Sequence, residues 1–428
     1  KRRRLLNVVA PPPTPPSSLV GVGGNSTSLI DYPDTVATTV GDWYVDGASG
    51  SDSNSGASLG QAFATIGKAL SSLSDGQVVL VRGGTYSVSS TINRNTSWTT
   101  GVKIMGYGGE VPVIASSANI GLSLNGSLEK WVGFRIRGAS LYGVRIQGGS
   151  NTLERIYVHD CATEQYGVGI IINSQVANDN LIQSCAVWRL GVPGQSGTNT
   201  PDGITFTAPS GTYNQRNMAV RCVVANATDD CFDLYRSRDS MFIDCVAIGG
   251  GYYYNGNTAS SEGHGYKLGS GGGQGNDARG CIAVHNRRTG FNSNGASNTS
   301  YYNCSSYHNN YGIEFRGNGS SGYAENCITL WNGQNVPIDQ YNTLPPSGSL
   351  VTNSWQLGIS TGNINLGNPS GGDFSLASGS SALGVGTGGT NLGASTVALE
   401  VLDVWWNHSG IWIPGRGSGP GGTGLPGD

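Results

Sequence analysis

Residues 280–286 read Gly-Cys-Ile-Ala-Val-His-Asn, and the pattern returns as Asn-Cys-Ser-Ser-Tyr-His-Asn at 303–309 and Asn-Cys-Ile-Thr-Leu-Trp-Asn at 326–332. The step between them is 23 residues. Working outward, the X-Cys-apolar signature recurs at Ser184-Cys185, Arg221-Cys222 and Asp244-Cys245, and Asn226 follows the second of these at a similar distance. A second signature, Gly-apolar-X-apolar, begins at Gly143, Gly167, Gly203, Gly265 and Gly312. Cys231-Phe232-Asp233-Leu234 fits it with Cys in the Gly place, and Gly290-Phe291-Asn292-Ser293 fits less well. Short alternating segments at a fixed period of this size indicate a solenoid, in which each unit buries its apolar face only by stacking on the next. About 23 residues with two or more strands per unit suit a parallel β-helix. The regular Leu and Asn signatures of leucine-rich repeats are missing, and a propeller blade needs about 40 residues. The recurring Asn set of 226, 286, 309 and 332 predicts a stacked asparagine ladder at one turn.

Composition agrees with many short strands and tight turns. The 428 residues include 69 Gly, and charged residues are 12%, against about 25% in an ordinary globular chain. Apolar residues recur throughout, which excludes disorder. With 24 Lys and Arg against 27 Asp and Glu, the net charge of −3 argues against a general nucleic-acid surface. No apolar run reaches the length of a membrane span. The eight cysteines contain no Cys-x-x-Cys pair, and several recur at one spacing of 23 residues (Cys222 and Cys245; Cys281, Cys304 and Cys327), which reads as small apolar side chains stacked inside successive coils rather than a zinc site or a disulfide framework.

Along the chain, Lys1-Arg2-Arg3-Arg4 and a short apolar run before Pro11-Pro12-Pro13 mimic a signal peptide, but the run is too short. Residues 1–40 read as a basic, Pro-rich arm, the composition of an anchor to an assembly partner. Phe63, Ile66, Ala69, Leu70 and Leu73 recur at helical spacing, predicting one short helix that caps the N-terminal end of the coils. Residues 41–400 form the β-helix, and Asp373–Leu376 reads as its last strand. Residues 401–428 are expected to be a Trp-containing, Gly- and Pro-rich tail, with Trp405, Trp406 and Trp412 placed to cover the open end or meet a partner.

The repeat gathers the scarce charges. In parallel strands about 4.8 Å apart, equivalent positions fall in columns. Aligned on the second signature, Thr205, Asp233, Lys267, Asn292 and Glu314 form one outward column, and Asp202, Asp230, His264 and Thr289 another. Asp229 lies at the turn just before its strand. Asp at a turn is common, and a lone Lys on a sheet face is usually solvated. Four carboxylates and one lysine converging on one patch are a different matter. Such carboxylates repel, and a hard cation with six to eight oxygen ligands relieves them. Beside a bound dication the pKa of Lys267 falls, making a neutral amine base accessible.

Asp-Asp-X-X-Asp at 229–233, with Gly-Tyr-Lys-Leu-Gly at 265–269, resembles the family nine polysaccharide lyases of the pectate-lyase type. The likeness covers about residues 42–385, including the entry segment Trp43–Tyr86 and residues 287–294. It implies an all-β, right-handed parallel β-helix. It implies an enzyme that cleaves an acidic, uronate-containing glycan by β-elimination, and the expected setting is extracellular, secreted or at the cell surface, or on a virion if the tailspike-like alternative below holds. By motif, Asp202, Asp229, Asp230 and Asp233 correspond to the calcium ligands and Lys267 to the base. Arg236, His264, Arg288 and Arg316 are the candidate substrate-binding residues. Cys231 departs from the family, which has Gly there, and the arm and tail lie outside the likeness. Pro-Asp-Gly, Asp-Asp-Cys and Gly-His-Gly also resemble β-helical polygalacturonases. In that alternative Asp202, Asp229 and Asp230 act in inverting hydrolysis with help from His264. It leaves Asp233 and Lys267 without a role, and no later Arg-Ile-Lys segment is present. A third alternative is a non-catalytic carbohydrate-binding or tailspike-like protein.

Overall fold

The computed structural model describes residues 38–194, 201–259, 262–315, 322–330, 350–352, 366–368, 373–384, 391–406, 412–413 and 417–418. The N-terminal arm up to residue 37, Arg316, Asn332 and most of the tail after residue 406 lie outside them.

Within them the chain winds as a parallel β-helix. One face is a nine-stranded sheet, running from Ile92–Arg94 through Ile120–Leu124, Tyr142–Ile146 and Val168–Ile172 to Asp202–Phe206, Phe232–Asp233, Tyr266–Lys267, Thr289–Asn292 and Tyr311–Glu314. Each strand pairs in parallel with its equivalent one coil away. The first two strands extend the repeat beyond the sequence reading, which began at Gly143. Gly121-Leu122-Ser123-Leu124 carries the same signature and is the signal that was available.

Two further strand stacks complete each coil, as in Met218–Val220 followed by Val223–Ala225 and, one coil on, Met241–Ile243 followed by Val246–Ile248. The residue joining the two strands is the X of X-Cys. Ser184, Arg221, Asp244, Asn303 and Asn326 all hold positive φ between 51° and 55°. One left-handed residue bends the chain sharply from one sheet to the next, at a steric cost that only Gly escapes. The following Cys then points into the core. Cys222 N donates to Cys245 Sγ at 3.4 Å and Cys245 N to Cys281 Sγ at 3.5 Å, so the thiols form a buried ladder, and none is in a disulfide.

The Gly of the second signature is required by close approach. A Cβ on Gly143, Gly169 or Gly203 would collide with Val158, Val187 or Val224 on the facing strand. In the second of these coils the register puts Gly169 in this place, two residues after the Gly167 expected from the signature, because Val168 pairs with Tyr142 and with Asp202. Register places Ala247 after Val224 in that facing column, so Ala247 is level with Cys231. The larger residue at 231 is matched by a smaller one at 247. Phe232, Tyr266 and Phe291 then stack through the core at centroid distances of 4.8 and 4.7 Å.

The asparagine ladder is present in part and displaced in part. Asn286 N donates to Asn309 Oδ1 at 2.8 Å, and Gly250 N to Asn286 Oδ1 at 2.8 Å. Asn226 is not in this column: it is the bend residue before it, with φ 51°. An uncounted residue shifts the set by one, because the spacing from Cys is four at 226 and five at 286. A longer ladder runs along another turn, unseen in the periodicity because one rung is Ser. Asn151 N donates to Asn180 Oδ1, Asn180 N to Asn217 Oδ1, Asn217 N to Ser240 Oγ and Ser240 N to Asn276 Oδ1, all at 2.9–3.1 Å. Buried turn amides are satisfied coil by coil in this way.

Helix α1, Ile66–Ser72, is capped by Thr65, whose hydroxyl accepts from Lys68 N. It buries Ile66, Ala69 and Leu70 in the same core as Val45 and Val79 of the first coil. A second helix, α2, spans Thr396–Trp406 and crosses the boundary expected at 400. Ala398, Val401, Leu402 and Trp405 are buried at helical spacing, and Ser395 Oγ accepts from Ala398 N at its start. Its apolar face covers the outward side of the strands at Val223, Ala225, Val246, Ile248, Ile282 and Val284, where Trp405 meets Trp188 edge-on. Trp405 therefore seals the flank of the coils and not their open end. The flank strands are apolar on both faces, so one face needed a cover.

Candidate active site

The middle of the nine-stranded sheet carries the charges. Asp202 is the first residue of its strand, directly before Gly203, which packs closely against Val224 of the facing strand. Asp202 Oδ1 accepts from Asp230 N at 3.1 Å, and Asp230 Oδ1 accepts from His264 N at 2.8 Å. Each carboxylate thus docks one oxygen on the backbone of the next coil, while the second oxygen of Asp202 accepts from Thr205 Oγ1 at 3.3 Å and that of Asp230 meets Lys267. One oxygen each of Asp202, Asp229 and Asp230 lies within 4.8 Å of the others.

Asp233 pairs in register with Thr205 on one side and Lys267 on the other, and Lys267 with Asn292. Lys267 Nζ donates to Asp230 Oδ2 at 2.7 Å and to Asp233 Oδ2 at 3.2 Å. The lysine side chain keeps 18% of its exposure, whereas Asp230 has none and Asp233 6%. Asp233 Oδ1 is buried with no hydrogen-bond partner.

The fields pull in opposite directions. Burial, then Asp229, Asp230 and Asp233, push the Asp202 carboxyl well above the usual range. Burial also lifts Asp233, to about 6. Burial opposes ionisation of Asp230 too, but Lys267 and His264 hold it below its ordinary value. Burial pulls Lys267 down, yet Asp230, Asp233 and Asp202 together raise it above a free lysine. With only protein charges present, Lys267 is a firmly held ammonium ion, so the neutral base expected from the sequence needs further positive charge at the site.

The other candidate residues sit elsewhere. His264 is buried; its ring Nε2 lies 3.0 Å from Glu262 Oε2 and 3.4 Å from Asn292 Nδ2, so the ring itself is not offered to a glycan. It supports Asp230 through its backbone N–H. Arg288 is engaged with the same Glu262 carboxylate, which His264 and Arg288 hold down to about 2 despite burial. Arg236, three residues beyond Asp233 and past the end of its strand, stacks on Tyr235 with its guanidinium 4.6 Å from the ring centroid and, among the described residues, makes no ion pair with the carboxylates. Glu262 and Asn292 were not among the predicted residues. Asn292 was visible in the Lys267 column, whereas Glu262 lies in an insertion between repeats, where periodicity carries no information.

A family model described as "Pel9A-like, right handed beta helix region" matches residues 43–335. Among curated proteins, "Pectate lyase L" of Paenibacillus polymyxa (strain SC2) is 28% identical over 258 residues, 53% of this chain and 54% of that protein. The chain therefore spans about half the length of this relative. "Pectate lyase L" of Dickeya dadantii (strain 3937) is 26% identical over 346 residues, 74% of this chain and 75% of that protein. Among solved structures, that of pectate lyase Pel9A aligns with a TM-score of 0.67 at 22% identity, covering 82% of this chain and 95% of the other. A rhamnogalacturonan lyase aligns with a TM-score of 0.65 at 20% identity, covering 76% and 91%.

Proposed function

This chain belongs to the Pel9A-like right-handed β-helix family, and on that premise we propose that it is a calcium-dependent polysaccharide lyase cleaving an acidic, pectate-like glycan by β-elimination. The carrying observation is Lys267, a solvent-reaching amine held at 2.7 Å by Asp230 beside the Asp202, Asp229 and Asp230 oxygens. The relatives named pectate lyase support the same reading.

The residues fit a hard dication. Three carboxylate oxygens converge, and Asp233 Oδ1, on the side of its carboxylate that Lys267 does not take, is a buried acceptor without a hydrogen-bond partner. Asp202, Asp229, Asp230 and Asp233 would hold it. When bound, calcium supplies the charge that offsets these carboxylates, lets Lys267 shed its proton, and steadies the negative charge developing on the uronate carboxyl group.

Lys267 does the proton transfer. Its neutral Nζ takes the C5 proton, the C5–H electron pair forms the C4–C5 double bond, and the C4–oxygen bond breaks. The leaving oxygen takes a proton from solvent. Asp230 and Asp233 aim Nζ, and the register of the coils keeps them one strand spacing from it. The hydrolase alternative has less support, since Asp230 is fully buried and ion-paired with Lys267, a poor environment for a general acid. An extracellular setting suits such a substrate. Among the described residues, no helix is long and apolar enough to cross a membrane.

The test is incubation with polygalacturonate and calcium, following ultraviolet absorbance of the unsaturated product. Absorbance that rises, and that disappears with chelator or Lys267→Ala, is the expected result. New reducing ends without absorbance would replace the lyase by a hydrolase, and no cleavage of any acidic glycan would point to binding alone.

A further inference from the structure

Beyond the carboxylates, the same three coils carry a second chemical feature at the C-terminal ends of their strands. Arg238 lies flat over Tyr213 with its guanidinium carbon 3.4 Å from the ring centroid, and Arg236 lies over Tyr235 at 4.6 Å. Tyr213 belongs to the Asp202 coil and both arginines to the Asp233 coil. From the Lys267 coil, Gly272 O accepts from Arg238 Nε at 3.4 Å. Gly271 and Gly272 have φ of 59° and 92°; a Cβ on Gly272 would collide with the Tyr213 hydroxyl, and one on Gly271 would meet Arg236 Cγ at 2.8 Å. Gly271 and Gly272 thus leave the space that Arg236 and Tyr213 occupy.

Among the described residues neither arginine is in an ion pair, whereas Arg216, one coil earlier, is held by Asp179 at 2.7 Å. The exposed acid beside them, Asp239, adds its field to Arg216. Two half-buried guanidinium groups without a carboxylate, in a chain of net charge −3, are receptors for an external anion. Stacking on tyrosine holds each fork in one orientation, and a guanidinium still offers its Nη hydrogens once Nε is used. Arg236 follows Asp233 by three residues, so their Cα atoms are within about 11 Å along the strand. That spacing places the arginines beside the reacting unit and not on it.

We propose that Arg236 and Arg238, braced by Tyr235 and Tyr213, form a carboxylate-binding platform that grips uronate units of the glycan beyond the one at Lys267. The assignment rests on the lyase reading of the site. It makes the protein selective for longer, acidic stretches of chain, since a neutral or fully esterified segment presents nothing to either fork.

The experiment compares Arg236→Gln and Arg238→Gln with the unaltered full chain in calcium, on polygalacturonate and on trigalacturonate. Hexagalacturonate binding is measured by calorimetry in the Lys267→Ala background at low and high salt. Each substitution is expected to raise KM for the polymer about fivefold with kcat within about twofold. Trigalacturonate kinetics are expected to stay unchanged. Hexagalacturonate affinity should fall by a similar factor and lose part of its salt dependence. Arg238→Lys, which keeps the charge but not the fork, should lie between, and it decides the matter if Arg238→Gln does not fold. Unchanged KM and binding, or equal losses on both substrates, would overturn the platform. Absence of any unsaturated product would sink the lyase reading separately, because binding to the Lys267→Ala chain is read without turnover.

Discussion

Asp233 and Lys267, 34 residues apart in the chain, are direct partners on adjacent strands, and the lysine Nζ bridges Asp233 and Asp230. The long interval is taken up by a complete coil plus the insertion after Ile248. The bridge sets both the charge state of the lysine and the cost of disturbing it.

Replacing Lys267 by Ala should abolish product formation, a loss of about 10²-fold or more. It also leaves Asp230 and Asp233 buried without their cation. The calcium-free variant should therefore be about 3–5 kcal/mol less stable than the unaltered chain, read from urea midpoints. Full activity in this variant would remove Lys267 from the mechanism.

Stability without calcium should fall as pH rises from about 4 to 6. Asp233, lifted to about 6 from an ordinary 3.8, keeps in the folded chain a proton that the unfolded chain has already released. Its stabilising contribution is present below the lower value and lost on passing the higher, by up to about 3 kcal/mol. Urea titrations in chelator at several pH values should show this slope, and Asp233→Asn should reduce it to the part contributed by Asp202, whose carboxyl is raised by burial and the neighbouring aspartates. A slope that is the same in both chains would mean that Asp233 does not cause it.

Calcium should raise the melting temperature in a concentration-dependent way. Saturation to about 100 times the dissociation constant gives about 2.7 kcal/mol. Asp202→Asn and Asp229→Asn should weaken the effect while leaving calcium-free melting near that of the parent. Equal stabilisation of the parent and of both variants would place the ion elsewhere.

Ala247→Val should destabilise by about 1–3 kcal/mol, because the register sets residue 247 level with Cys231, whereas the preceding coil sets Val224 against Gly203, which has no side chain. The double change Cys231→Gly with Ala247→Val restores the pairing of the preceding coils and should recover most of the loss. A double-mutant cycle on thermal unfolding measures the coupling, and additive effects would show that the two residues do not share the gap.

Asn217→Ala should cost about 2–3 kcal/mol, since Asn180 N and the Ala177 carbonyl lose their partners inside the stack. Hydrogen exchange at Asn180 N is the local measurement. Protection equal to that of the parent would contradict the ladder.

Much of this was legible in the sequence. The Gly and Cys signatures mark the two places where the backbone has least freedom: a strand start pressed against its facing strand, and a left-handed bend followed by a buried thiol. Columns built on them put Asp233 beside Lys267 and Asp202 beside Asp230. Asn226 misled because a one-residue slip moves it from the ladder to the bend, and letters alone do not count bend residues. Helix α2 straddles the expected boundary at 400, because its apolar spacing follows a stretch where the repeat has already faded and the letters carry no coil period to set it against.

What the sequence determined by itself was local and periodic: strand starts, bends, coil size and which side chains share a column. These depend on sterics within one repeat and on the fixed spacing between coils. The tertiary structure alone decided where the insertions went and what each charge met there. Burial of His264, the Glu262–Arg288 pair, the raised pKa of Lys267 and the stacking of Arg236 and Arg238 on tyrosine all depend on contacts between loops of different length. Such contacts have no period, and the strength of a charge depends on the solvent those loops exclude.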